Sequence, residues 1–219
     1  MSTLSAVLFD IDGTLVDSNY AHVAAWSRAA EEVGHPADSW RIHRAIGMDS
    51  SLLLETVFGE DAERLGERAS ELHERYHLAA ADRLRPFDGA RELLRTLADR
   101  GLTVVLATSA PGPELEILRR ILNLEDTIAV VTSADDVEDA KPAPDIMHAA
   151  LRKAGVEADE AIMVGDAVWD VEAAGRAGIR CIGLLSGGTG ALELREAGAV
   201  AVYEDCAGLL AGLAESPLA

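Results

Sequence analysis

The chain is short of lysine, cysteine and positive charge. Its 219 residues carry 19 Lys and Arg against 38 Asp and Glu, a formal net charge of -19. So acidic a chain repels phosphate backbones and anionic lipid, which excludes nucleic acid and membrane surfaces as partners. An anionic ligand would need locally placed positive groups. Two cysteines leave no disulfide framework and no metal-ligand spacing. Cys181, inside RCIGLL, reads as a small buried residue. No apolar run approaches the ~18 residues of a membrane span, and no basic segment followed by an apolar stretch opens the chain. Repeats and low-complexity stretches are also missing. The expectation is a soluble, cytoplasmic protein, with a monomer as the simplest state.

What is present is a full apolar core, 49% of the residues, enough for one large domain or one domain with an insert. Strand-like apolar runs recur at 5–9, 102–107, 128–132, 161–164 and 180–185, with a weaker one at 199–203. Helical periodicity fills 88–100, 112–122, 143–154, 168–177, 189–197 and 205–214. Gly101, Gly155, Gly178 and Gly198 follow such segments, where helices end. Alternating strand and helix predicts an α/β fold, a Rossmann-like parallel sheet with helices on both faces. Residues 18–84 break the alternation: they show four helical patterns, near 18–33, 37–46, 49–57 and 60–81, and no strand. The expected organisation is a core of 1–17 and 85–219 with an all-helical domain, 18–84, inserted.

In open parallel sheets ligands bind beyond the carboxyl ends of the strands. After the first strand come Asp10 and Asp12, after the second Thr108 and Ser109, and after the 161–164 strand Gly165, Asp166 and Asp170. Lys141-Pro142 precedes another helix. Clustered carboxylates raise one another's pKa unless a cation is present, and Mg2+ takes such oxygen ligands. A carboxylate can attack phosphorus, a second can act as acid and base, and Thr, Lys and backbone N–H groups can hold phosphoryl oxygens. Lys141 carries weight because the chain has 17 Arg and only two Lys. Taken singly, each feature has a plainer reading: Asp12-Gly13 as a turn, Thr108-Ser109 and Asp166/Asp170 as helix caps, Lys141-Pro142 as a loop.

Together, DIDGTLVDS (10–18), LATS (106–109), KPAPD (141–145) and VGDAVWD (164–170) resemble, in order and spacing, the four motifs of the haloacid dehalogenase-like (HAD) phosphatase superfamily. The helical block matches the position of the cap in the branch that includes β-phosphoglucomutase and phosphoglycolate phosphatase. The resemblance implies Asp10 as nucleophile and Asp12 as general acid/base. It implies Mg2+ on the Asp10 carboxylate, the Asp12 carbonyl and Asp166, with Asp170 just behind. Thr108 and Lys141 would bind the phosphoryl group, aided by Ser109. Ser18 and the stretch 83–86 would be hinges of the cap. The implied activity is Mg2+-dependent hydrolysis of a small phosphorylated metabolite; dehalogenases of the superfamily lack the second Asp.

A sugar-phosphate mutase is the alternative, and the start Asp10…His22…Trp26 resembles one. However, Pro111-Gly112 stands where a Lys-Asn pair is expected, and Met48, Asp49, Ser50 and Ser51 follow Gly47 where an Arg is expected. Both departures remove groups from a second phosphate site, and 18–84 holds seven Arg against twelve acidic residues. Hydrolysis is therefore favoured. In the cap, His22 is a candidate substrate contact, as are Gly47 and Met48 by resemblance; Trp26 reads as core. Arg41, His43 and Arg44 read as a solvated face. Ser186-Gly187-Gly188-Thr189 reads either as an anion-binding helix start or as a loop. HERYH (73–77) satisfies the H-E-x-x-H zinc-peptidase pattern, but its charged surroundings read as an exposed helix face. A binding module without activity is a further reading.

Overall fold

The computed structural model describes residues 3–133, 136–137 and 140–219. The chain divides into two compact units, Met1–Asp17 with Arg85–Ala219, and Ser18–Leu84.

The first unit is built on six parallel strands: β1 (Ala6–Phe9), β2 (Thr103–Ala107), β3 (Val130–Thr132), β4 (Ala161–Gly165), β5 (Arg180–Leu184) and β6 (Ala201–Tyr203). Their spatial order is β3-β2-β1-β4-β5-β6. Every residue of β1 and β4 is buried, as expected of central strands covered on both faces, and their sequences AVLF and AIMVG show no polar alternation. Parallel neighbours need long crossovers, supplied by α5 (Ala90–Asp99), α6 (Gly112–Leu122), α7 (Asp145–Ala154), α8 (Val168–Arg176), α9 (Ala191–Ala197) and α10 (Cys206–Ala211). Under one face, Leu8, Val105 and Met163 pack with Ile146, Met147 and Val171. Strand order runs outward in both directions from β1 and β4, and this reversal opens a crevice at their carboxyl ends. Cys181 and Cys206 are free thiols, both buried. Burial pushes Cys206 up to about 12, and its Sγ lies 3.3 Å from the Thr14 carbonyl oxygen.

Where the chain leaves the sheet and returns, two segments run together. Asp17 N donates to Arg85 O at 2.9 Å, Val16 pairs with Pro86, and Asp17 and Arg85 form an exposed ion pair at 3.2 Å.

The second unit holds α1 (Asn19–Glu32), α2 (Ser39–Ala45), α3 (Ser50–Phe58) and α4 (Ala62–Leu78). Its core gathers Trp26, Ala29, Ile42, Phe58, Leu65 and Leu72. Apolar residues one turn apart on α1 and α4 put this stripe on facing surfaces. Among the described residues, no helix is long and apolar enough to cross a membrane.

Candidate active site

β1 and β4 deliver the first carboxylates. Phe9 registers against Val164, so Asp10, one residue on, and Asp166, two on, leave adjacent strands at the same edge. Asp170 follows on the first turn of α8. Asp10, Asp166 and Asp170 bring carboxylate oxygens within 4.8 Å of one another, and all three side chains are buried.

Lys141 is also buried, 1% exposed. Its Nζ lies 2.5 Å from Asp10 Oδ1 and 2.7 Å from Asp170 Oδ1. Burial works against its charge, but Asp10 and Asp170 outweigh this and lift Lys141 above the usual lysine range. Burial pushes Asp10 well above the ordinary carboxylate value; Lys141 pulls it back, while Asp170, Asp166 and Asp12 push it further up. Besides burial, a surplus of carboxylates surrounds the one ammonium. An oxygen-only donor set with excess negative charge fits a hard divalent cation.

The carboxylates are held by their neighbours. Thr14 Oγ1 donates to Asp166 Oδ1 at 2.9 Å, and Ala167 N donates to Asp170 Oδ2 at 3.1 Å. A Cβ at Gly165 would fall 2.4 Å from Asp170 Cγ, and one at Gly187 would fall 1.6 Å from Asp166 Oδ2. Glycine at both positions lets the backbone approach the acidic groups. Ser186 Oγ donates to Gly13 O at 2.7 Å, fastening the 186–189 segment to the loop after β1. This segment is therefore a loop that walls the site, since α9 begins only at Ala191.

Asp12 is half-buried in a tight loop closed by Gly13 N to Val16 O (2.9 Å) and Leu15 N to Ile11 O (2.8 Å). The carboxylate of Glu114, buried on α6, comes within 4.8 Å of that of Asp12. Thr108 is buried beyond β2, and its Oγ1 accepts from Ala110 N at 3.1 Å. It turns the loop rather than capping α6, whose N-cap is Pro111. Ser109 is half-buried in the same loop. Thr14 and Glu114 were not singled out as site residues from sequence. Thr14 stands inside the first motif, but its partner is 152 residues away.

The helical unit contains the remaining candidates. His22, on α1, has Nδ1 3.0 Å from His73 Nε2 and stacks on His77 at a centroid distance of 3.8 Å. Gly47 (φ 86°) and Met48 lie between α2 and α3, with Met48 against that unit's own core. Trp26 is buried, and Arg41 and Arg44 are exposed. The expectation of a solvated face for HERYH is corrected: His77 is 2% exposed and His73 half-buried. Leu65, Ala69, His73 and His77 follow one another at four-residue spacing, so the two histidines prolong the ridge that faces α1. Glu74, off that ridge, is exposed.

A family model for haloacid dehalogenase-like hydrolase matches residues 4–178. The chain is 34% identical over 214 residues to a phosphoglycolate phosphatase of Rhodospirillum rubrum, covering 93% of this chain and 88% of that protein. It is 33% identical over 207 residues to a phosphorylated carbohydrates phosphatase of Thermotoga maritima, covering 92% and 94%. A crystal structure of a hydrolase from Pseudomonas syringae superposes with a TM-score of 0.90 at 39% identity, covering 96% of this chain and 98% of that one. The parallel sheet, the acidic crevice at its reversal and these matches agree: the chain belongs to the haloacid dehalogenase-like hydrolases.

Proposed function

We propose that the protein is a Mg2+-dependent phosphatase that hydrolyses a small phosphate monoester through an aspartyl phosphate on Asp10. The observation that carries this is the buried Asp10–Lys141–Asp170 arrangement beside Asp166. The phosphatases named among its relatives support the reaction class.

In this reading Asp10 Oδ attacks phosphorus and the ester P–O bond breaks. Asp12 gives its proton to the departing oxygen, and the alcohol leaves. Asp12 then takes a proton from water, whose oxygen attacks the phosphorus of the acyl phosphate; the P–O bond to Asp10 breaks and phosphate leaves. Lys141 fixes Asp10 and, with Thr108 and the loop N–H groups, stabilises charge on the phosphoryl oxygens. Mg2+ would be held by Asp10, the Asp12 carbonyl and Asp166; bound there, it supplies positive charge that offsets the carboxylates and the phosphoryl group. Hydrolysis is preferred to transfer onto a second hydroxyl because Pro111-Gly112 and Met48 stand where a mutase would place donors for a second phosphate. The cap residues His22, Gly47 and Met48 are the proposed determinants of substrate choice.

A panel of small phosphate monoesters, assayed with Mg2+ and with EDTA, tests the reading. Release of phosphate with Mg2+ and none with EDTA is expected. Activity indifferent to EDTA, or rapid interconversion of sugar monophosphates primed by a bisphosphate, would overturn it.

A further inference from the structure

The three histidines of the helical unit lie close together. Each offers one ring nitrogen, and these nitrogens lie within 4.8 Å of one another. His22 Nδ1 and His73 Nε2 are already 3.0 Å apart. His73 and His77 are spaced i, i+4 on α4, one face of one helix, and His22 comes from α1 opposite. Trp26, one turn further along α1, stacks on His73 at 4.3 Å, while His22 stacks on His77. The two helices thus run antiparallel here, with aromatic rings interleaved where Leu65 and Ala69 fill the preceding ridge positions.

We propose that His22, His73 and His77 bind one divalent transition-metal ion of the Zn2+ or Ni2+ class. The donors are imidazole nitrogens alone. Such a set suits Zn2+, Ni2+ or Cu2+ and is a poor match for Mg2+, which takes oxygen. It is therefore chemically distinct from the carboxylate cluster of the α/β unit and shares no residue with it. Two nitrogens on one tetrahedral ion, each at about 2.0–2.1 Å, lie roughly 3.3 Å apart. One pair already lies close to that spacing, and the others, within 4.8 Å, must close by at most about 1.5 Å. The rings are nearly parallel, with interplanar angles of 8° and 17°. Ligation therefore requires at least two rings to turn about their side-chain bonds, which gives up stacking in exchange for metal bonds.

Three protein nitrogens leave a fourth position for water or another small ligand. The site does not restore the peptidase reading of H-E-x-x-H. That chemistry needs the intervening carboxylate at the metal, and Glu74 is exposed. What the ion does instead is tie α1 to α4, the two longest helices of the unit.

The test uses the full chain carrying Asp166→Asn, which disables the acidic cluster as a competing metal site, stripped with a chelator and dialysed. Titration calorimetry with Zn2+ should show one equivalent bound, and His73→Gln or His77→Gln should weaken it at least ~100-fold. Saturating Zn2+ should raise the melting temperature by roughly 5 °C or more in the parent and not in the histidine variants. Should a histidine variant fold poorly, Co2+ added to the Asp166→Asn parent decides. Intense visible absorption with an X-ray absorption shell of histidine nitrogens supports the site. A weak octahedral spectrum, an oxygen-only shell, or Zn2+ binding unaltered by the histidine substitutions overturns it.

Discussion

Lys141 Nζ stands 2.5 Å from Asp10 Oδ1, with both side chains shut away from solvent. The ammonium offsets part of the negative charge gathered there and fixes the direction of Asp10. Replacing it by methionine, which keeps most of the length and none of the charge, leaves buried carboxylates facing one another. Lys141→Met is expected to cost about 3–5 kcal/mol of stability, read as a lowered denaturant midpoint in EDTA, and to lower kcat steeply. A variant as stable as the parent would show that the pair does not organise the site.

Asp12 is the proposed acid and base, so its removal should depend on the leaving group. Asp12→Ala is expected to slow hydrolysis of an alkyl phosphate by roughly 10²–10⁴. An aryl phosphate, whose oxygen departs without help from a proton, should suffer less. Equal losses on both substrates would argue against this role.

Stability of the metal-free protein should fall as pH rises from acid to neutral. Asp10 in the folded state is held well above its ordinary 3.8, so the native protein keeps a proton that the unfolded chain has lost. The contribution is full below the unfolded value and disappears as pH climbs through the raised folded one. Mg2+ competes with that proton, so its stabilising effect should grow with pH. Melting temperatures from about pH 4 to about pH 8, in EDTA and in Mg2+, check this. Asp10→Asn should flatten the EDTA curve, and an unchanged slope in that variant would place the titration elsewhere.

Thr14 orients Asp166 through a 2.9 Å hydrogen bond. Thr14→Val preserves shape and deletes the donor. The Mg2+ concentration for half-maximal activity should rise about 10–100-fold, with kcat at saturating Mg2+ much less affected. A loss of kcat without a shift in Mg2+ dependence would mean that Thr14 serves the chemistry directly.

The sequence makes the sheet legible because buried parallel strands are written as short continuous apolar runs, such as AVLF and AIMVG. The acidic edge is legible because Asp10 and Asp166 sit directly beyond two such runs. The partners that fix the acids are not. Thr14 meets Asp166 across 152 positions, and Glu114 reaches Asp12 from the face of a helix whose orientation no local pattern reveals. HERYH misleads for a related reason. Charge density on α4 describes its outer face, whereas His73 and His77 continue the inner ridge begun by Leu65 and Ala69, and only the docking of α1 makes that ridge interior. The Ser186–Thr189 stretch has the composition of an anion-binding turn, but its hydroxyl is used to hold Gly13.

The most direct test is to trap the phosphoryl group on the enzyme. Acid quenching during turnover of a phosphate-labelled substrate, followed by peptide mapping, should find label on the peptide containing Asp10, and Asp10→Asn should carry none and turn over at least ~10³-fold more slowly. Phosphate release at full rate from Asp10→Asn, or label on another residue, would contradict the account.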